Sequence, residues 1–398
     1  MKILYYSSHP NLGLLNPTGY GAHMRGFIHA ARRAGHDVQT LIAGGEETAT
    51  AVMAPPVQPG WKKFARHLIP SMLWRSMKEA RLLRFDDFMR EQLREKIAQQ
   101  LPDLVYERAS WLQHSGVCVA REMKVPLCLE LNAPFPEEVK SFEKTSSLLE
   151  GRGRRRMQEQ FSYAHRIVVV SSALKNYLVR DFDVSASEVL VVPNAVEENV
   201  FVPPSQAQIE EFRRRYGLQQ QMIIGFVGSI FPYHGVDILI EAFAKFAGSA
   251  AAPDAALVII GDGYLLPELK RRVAELKLEK QIIFTGPLRS EEVKVALYAI
   301  NIGVMAKSNW YGSPVKIFEY GAAGNFVVAP DTVPVRDVME DRKDGWLLRP
   351  EEEQLLEAFY FYHRHRDEAK KMAERFREKI RQNYTWDKAT RNIIEACI

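Results

Sequence analysis

Apolar residues in this chain gather in short unbroken runs, separated by stretches with a helical spacing. The runs at Lys2–Ser7, Val38–Ile42, Leu104–Glu107, Leu127–Leu131, Arg166–Val170 and Val189–Val192 predict strands in the first half. Those at Ile223–Val227, Ala256–Ile260, Ile282–Thr285, Ile302–Met305 and Phe326–Ala329 predict strands in the second. Continuous Val/Ile runs, rather than alternation, mark strands covered on both faces. Strand and helix patterns alternate over most of the length, which predicts an α/β fold with parallel sheets. There are two sets of strands, each large enough for its own sheet. Pro193–Pro204, rich in Pro and Asn with little helical period, is the expected linker. Trp386, Ala389, Ile393 and Ile394 give the tail Tyr384–Ile398 a helical spacing. No short internal repeat is present.

Composition narrows the class. At 398 residues, with 46% hydrophobic and 26% charged, the chain is an ordinary globular protein of about two to three domains. No run approaches the ~18 apolar residues of a membrane span, and the N-terminus lacks the features of a signal peptide. The three cysteines, Cys118, Cys128 and Cys397, are odd in number and scattered. That predicts a reducing, cytoplasmic setting and neither a disulfide framework nor a Cys-based metal site. Charge is uneven: residues 1–195 carry a net +6 and residues 196–398 a net −2. Within the basic half, Trp61–Lys96 holds ten Lys/Arg and five Asp/Glu, interleaved with Trp61, Phe64, Leu68, Met72, Leu73, Trp74 and Met77. This predicts a helical insertion packed on the first sheet. The same stretch would also suit a peripheral seat on the inner face of an anionic membrane. A second basic run is GRGRRR, residues 151–156. No nucleic-acid-binding module is recognisable and the overall charge is modest, so no nucleic-acid partner is expected.

Four segments carry candidate chemistry. In GFVGSIFPYHGVDILIEAF, residues 225–243, a buried strand ends at Gly228 and a helix begins near Gly235–Val236, with Ser229 and His234 in the loop. Ligands of open α/β sheets bind at strand carboxyl ends, and a helix N-terminus there offers free N–H groups to a phosphate. His234 stands where it could donate to a diphosphate oxygen. In SNWYGSPVKIFEYGAAG, residues 308–324, a tight turn leads into a helix, with Ser313 as expected N-cap and Pro314 as first helical residue. Lys316 falls in the first turn, where the helix dipole disfavours a cation. The placement makes sense if an anion sits at the helix end. Glu319 lies near the same face. Asp262, in the turn of IGDGYLLPEL, and Leu288, in IIFTGPL, follow two further strands.

Together these segments resemble the nucleotide-binding half of the retaining, GT-B-fold glycosyltransferases of family 4. The order GS…HGV…EAF, then GDG, then FTGP, then GSPVKIFEY-x-A-x-G carries the likeness across Gly225–Gly324. TGYGAHMRGFIHAARRAGHDV, residues 18–38, resembles that family's Gly-rich loop and first helix. RIVVVSSALKNYL…VLVVPNAV, residues 166–196, resembles its inter-domain region. The resemblance implies two facing Rossmann-like domains: residues 1–196 for the acceptor, 197–383 for the donor, and 384–398 as a helix returning to the first. It implies a nucleotide-sugar donor, UDP-sugar favoured over GDP-sugar, and a glycan, lipid-linked or small-molecule acceptor. Lys316, Glu319 and His234 would be catalytic. Gly228, Ser229, Asp262, Leu288, Ser313, Pro314 and Val315 would bind the donor nucleotide and its phosphates. Gly19, Gly21, Asn132, Tyr311 and Gly312 would bind the sugar or the acceptor. No metal or other cofactor is implied.

This chain departs from the family at telling places. Tyr311 stands where the first of two glutamates is usual, and Ser229 and His234 replace an Arg and a Lys. Asn132 stands where a histidine commonly follows the strand. A diphosphate brings about two negative charges into a water-poor site. Lys316 is thus the one cation these motifs offer. The expected reaction is glycosyl transfer with retention, in which the departing phosphate takes the acceptor proton. The alternatives are a non-catalytic nucleotide-sugar-binding subunit, or a sugar phosphorylase or epimerase of the same fold.

Overall fold

In the computed structural model, the described residues are 1–15, 19–45, 70–138, 146–219, 222–249 and 254–397. They form two compact units: Met1–Val192 together with the residues from Ala389 on, and Pro193–Lys388. The chain therefore changes unit at Val192, where the expected linker begins, and again within its last helix. Pro193–Pro204 is built into the second unit rather than left free. It carries a 3₁₀ turn at Glu198–Phe201 and a bridge between Val196 and Thr385.

The first unit holds strands β1 (Lys2–Ser7), β2 (Asp37–Ile42), β3 (Leu104–Arg108), β4 (Leu127–Leu131), β5 (Arg166–Val169) and β6 (Val189–Val191). Its helices are α1 (Gly19–Arg33), α2 (Ser71–Gln100), α3 (Ser115–Met123), α4 (Glu150–Tyr163) and α5 (Ser172–Phe182). The sheet is parallel, ordered β2-β1-β3-β4-β5-β6. Gly19 and Gly21 were expected in a loop. They open α1 instead, because Met24, Phe27 and Ile28 at helical spacing draw the first turn onto the sheet. Of the basic insertion, the part from Ser71 on lies in one long helix, α2, and Trp61, Phe64 and Leu68 lie outside the described residues. Met89, Leu93 and Ile97 of α2 join Leu4, Tyr6, Val105 and Val117 in the core, so this part packs on the first sheet.

The second unit holds β7 (Met222–Val227), β8 (Ala255–Ile260), β9 (Ile282–Gly286), β10 (Ile302–Val304), β11 (Phe326–Pro330) and β12 (Trp346–Leu348). Its helices are α6 (Gln206–Arg215), α7 (Val236–Ala247), α8 (Leu266–Glu275), α9 (Ser290–Ala299), α10 (Val315–Ala323), α11 (Val333–Arg336), α12 (Glu352–Arg364) and α13 (Arg366–Asn383). The last helix, α14 (Trp386–Cys397), leaves this unit at Ala389. The parallel order is β12-β11-β10-β7-β8-β9. The chain adds strands outward from β7 on one side and outward from β10 on the other, which makes the carboxyl ends of these two parallel neighbours the topological switch point where open α/β sheets bind ligands. One core on each face buries the sheet, with Phe226, Phe243 and Phe326 on one side and Phe318, Tyr320 and Phe376 on the other. The short β12 was not expected; three residues give no readable period.

Candidate active site

The switch point of the second unit is built by glycines and one tyrosine. Gly228, at φ +138°, and Gly261, at φ +133°, end β7 and β8. A Cβ on Gly261 would sit 2.1 Å from the Gly228 carbonyl oxygen, so only glycine lets these strand ends lie so close. The Gly228 amide donates to Ile260 O (2.9 Å) and the Gly261 amide to Gly286 O (3.0 Å). The Tyr320 hydroxyl accepts from the Val227 amide at 2.8 Å and donates to Val304 O at 3.5 Å. α10 is thereby clamped to both strands at the switch point, one turn beyond Lys316.

Lys316 is buried among these groups. A Cβ on Gly228 would lie 3.3 Å from its Nζ, and Nζ stands 4.9 Å from the Phe226 ring centroid. Burial pushes the ammonium down to about 7, against the opposing pull of Glu319. Burial likewise pushes the Glu319 carboxyl up to about 7, against the pull of Lys316. Burial thus disfavours both charges, while each charge favours the other.

His234 closes the side of the site, its ring 5.7 Å from that of Phe226. Its Nδ1 lies 2.5 Å from the Ser229 carbonyl oxygen. Because that oxygen only accepts, Nδ1 carries the proton. Burial first, and Lys316 second, push the imidazolium down to about 3. His234 is therefore neutral and its Nε2 presents a lone pair. With the ring neutral, Nε2 offers an acceptor on this side.

Loop polar groups hold the turn before α10. Asn309 Oδ1 accepts from the amides of Gly312 (2.6 Å) and Tyr311 (3.3 Å). The Asn194 amide donates to Ser313 Oγ at 3.0 Å, and Asn194 Nδ2 donates to Ser313 O. Ser313 is not the N-cap. Its hydroxyl is taken by Asn194, and Pro314, in an extended conformation, is the cap residue. Pro314 supplies the carbonyl for the first turn, at 3.3 Å from the Ile317 amide, so Val315 and Lys316 open the helix with their amides toward its free end. Asn194 and Asn309 were not singled out from the sequence, where a lone loop asparagine reads as turn chemistry. Asp262 is exposed and folds its own turn by accepting from the Gly263 amide at 2.7 Å, while its carbonyl accepts from Ile230 at 2.9 Å. Leu288 is half-buried beyond β9. Tyr311 is buried and Gly312 half-buried. The donor-site candidates are thus assembled on β7, β8, β9 and β10.

Gly19, Gly21 and Asn132 belong to the first unit. Asn132 Nδ2 donates to Glu130 Oε1, as do Arg108 Nη1 at 2.6 Å and, to Oε2, the Tyr106 hydroxyl at 2.7 Å. His23 Nε2 stands 3.0 Å from Glu130 Oε2. Burial would raise this carboxyl, yet His23, Arg108 and Asn132 together hold it well below the usual carboxylate range. An ionised carboxylate only accepts, so it takes the amide end of Asn132 and leaves Oδ1 as an acceptor. This network escaped the sequence reading, although an acid inside the apolar run LCLEL was its signal. Among the described residues, no group of three or more His, Cys, Asp and Glu could hold a metal ion, and no helix is long and apolar enough to cross a membrane.

Comparison with known proteins agrees with this architecture. Residues 17–200 match the family model described as Glycosyltransferase Family 4, and residues 208–382 the one described as Glycosyl transferases group 1. The D-inositol 3-phosphate glycosyltransferase of Corynebacterium jeikeium is 27% identical over 52% of each chain. The GDP-mannose-dependent alpha-(1-6)-phosphatidylinositol monomannoside mannosyltransferase of Mycolicibacterium smegmatis is 30% identical over 39% of this chain and 42% of its own. The matched part thus spans about half or less of these curated relatives. HepE of Anabaena, solved in complex with UDP, superposes with a TM-score of 0.72 at 18% identity over 99% of each chain. With its two six-stranded parallel sheets and the two family models matched one after the other, the chain belongs to the glycosyltransferases of the family 4 type, on the GT-B fold.

Proposed function

We propose that this chain transfers a glycosyl residue from a nucleoside diphosphate sugar to an acceptor hydroxyl, with retention of the anomeric configuration. The observation that carries the reading is Lys316: a buried cation at the switch point, beside the free end of α10, with a half-compensating acid as its neighbour. A diphosphate docked there meets the ammonium and the Val315 and Lys316 amides, and the charge that develops on it as the sugar leaves is stabilised by the same groups. Glu319 would then turn to the ribose hydroxyls, and the Leu288 backbone to the base. His234, as acceptor at Nε2, would orient a sugar hydroxyl. No side chain is assigned as a nucleophile, so the departing phosphate takes the acceptor proton and the protein acts mainly by positioning.

A UDP-sugar is favoured as donor. HepE, which shares the fold, is solved with UDP-glucose, whereas the mycobacterial relative is named for GDP-mannose. Glu130, ionised and aiming Asn132, suits hydroxyl recognition in the first unit. The test is a panel of nucleotide sugars scored by thermal shift, since a tight donor raises apparent stability by mass action. The stabilising donor is then incubated with acceptors and the product's anomeric configuration read by NMR. A retained configuration is expected. An inverted one would sink the proposed mechanism, and donor binding without transfer would favour a nucleotide-sugar-binding subunit.

A further inference from the structure

The function above leaves the outward face of α2 unexplained. Inward, this helix buries Arg75, Glu79, Leu83, Asp86, Met89 and Leu93. Outward, one stripe runs Leu73, Met77, Arg81, Arg84 and Phe88, spaced three or four residues apart. Its apolar members are far from buried: Leu73 is 43% exposed, Met77 47% and Phe88 56%. Arg81 and Arg84, between them, are exposed and make no ion pair among the described residues.

α4 packs against the inward side of α2, where Ser76 and Asp86 are buried. The Leu148 amide donates to Ser76 Oγ at 3.0 Å, and Arg156 reaches Asp86 at 3.1 Å. The start of α4 is therefore fastened alongside the first half of α2. A soluble surface normally shows apolar side chains singly and cations mixed with acids. On the α2 stripe three exposed apolar residues alternate with two arginines that make no ion pair among the described residues.

We infer that the outward stripe of α2 seats the first unit on an anionic lipid surface, Arg81 and Arg84 meeting headgroup phosphates while Leu73, Met77 and Phe88 enter the interface. Charge decides the occupant. An apolar protein partner would not need the arginines, and a neutral bilayer would not repay their desolvation. An anionic bilayer uses both kinds of side chain at once. The inference does not depend on the transfer reaction, because no residue of the stripe belongs to the donor or acceptor candidates.

The experiment is sedimentation of the full chain with vesicles of phosphatidylcholine alone and of phosphatidylcholine with about one third phosphatidylglycerol. Binding is expected to the anionic vesicles only, and to weaken as salt rises. R81A/R84A should lower the partition coefficient ~30-fold, from the typical contribution of a basic residue near such a surface. M77S/F88S should also lower it, with residual binding that is more salt-sensitive. Both variants should keep the melting temperature and far-UV circular dichroism of the unaltered chain, which verifies that they fold. A full chain that stays in solution with anionic vesicles overturns the inference, as does undiminished binding by both folded variants, or equal binding to both vesicle types.

Discussion

At the scale of single residues, the site turns on how burial treats Lys316. An ordinary lysine keeps its charge to pH 10 and beyond. This one is pushed down to about 7, and only its partial pairing with Glu319 opposes that. A bound diphosphate favours the ammonium and draws its titration back up. The sign follows: below about 7 the cation is already present, and above it a proton must be taken up on binding. UDP affinity should thus fall as pH rises from 6.5 to 9, approaching tenfold per unit at the upper end. Calorimetry at each pH would show this, and Lys316→Met should flatten the profile. The place of Lys316 in the first turn of α10 was legible in the sequence, where a lysine after GSP is out of place for the helix dipole. The tautomer of His234 was not. It depends on the Ser229 carbonyl 2.5 Å from Nδ1, a backbone contact that spacing does not reveal.

At the scale of elements, tight strand ends and buried acids carry the consequences. Gly261 cannot take a side chain without displacing the Gly228 carbonyl, and its φ of +133° is itself strained for any other residue. Gly261→Ala should lower stability by roughly 1–3 kcal/mol and weaken nucleotide binding together with it; urea unfolding and a UDP titration would measure both. In β3, Glu107 is wholly buried with both oxygens lacking a hydrogen bond. Burial first, and Asp86 second, push its carboxyl up to about 8. The folded state thus holds a proton that the unfolded chain releases near the ordinary carboxyl range. Stability should fall as pH rises from that range toward about 8 and level off beyond it. Glu107→Gln should remove this slope and be the more stable protein at pH 8.5, by on the order of a few kcal/mol, as read from unfolding midpoints at pH 5 and 8.5. Eleven strands were readable because continuous Val/Ile runs are a strong pattern. The cap position of α10 was misread by one residue because Asn194, more than a hundred positions away in the chain, claims the Ser313 hydroxyl.

At the scale of the whole molecule, two Rossmann-like sheets come from one chain that changes unit twice. The helical spacing of Trp386, Ala389, Ile393 and Ile394 announced the last helix. What spacing did not show is that Ile393 and Ile394 are buried and that, from Ala389 on, the helix belongs to the first unit. Arg166 Nε donates to Ala396 O at 3.0 Å, and Cys397 lies against Cys128 of β4. A chain ending at Lys388 exposes this part of the first unit. It should lose on the order of 4 kcal/mol, from two isoleucines alone, and show a lowered first transition in calorimetry. A truncated chain melting like the full one would show that the helix contributes nothing to that unit.

The central claim is that Lys316 is the counter-ion of a nucleoside diphosphate held at the β7 and β10 ends. It is tested most directly by titrating UDP into the unaltered chain and into Lys316→Met at pH 6.5, with uridine as the phosphate-free control. The account predicts a loss of UDP affinity of about tenfold or more, as expected for a charge-assisted hydrogen bond, with uridine unaffected. UDP affinity unchanged within twofold, or an equal loss for uridine, would contradict it.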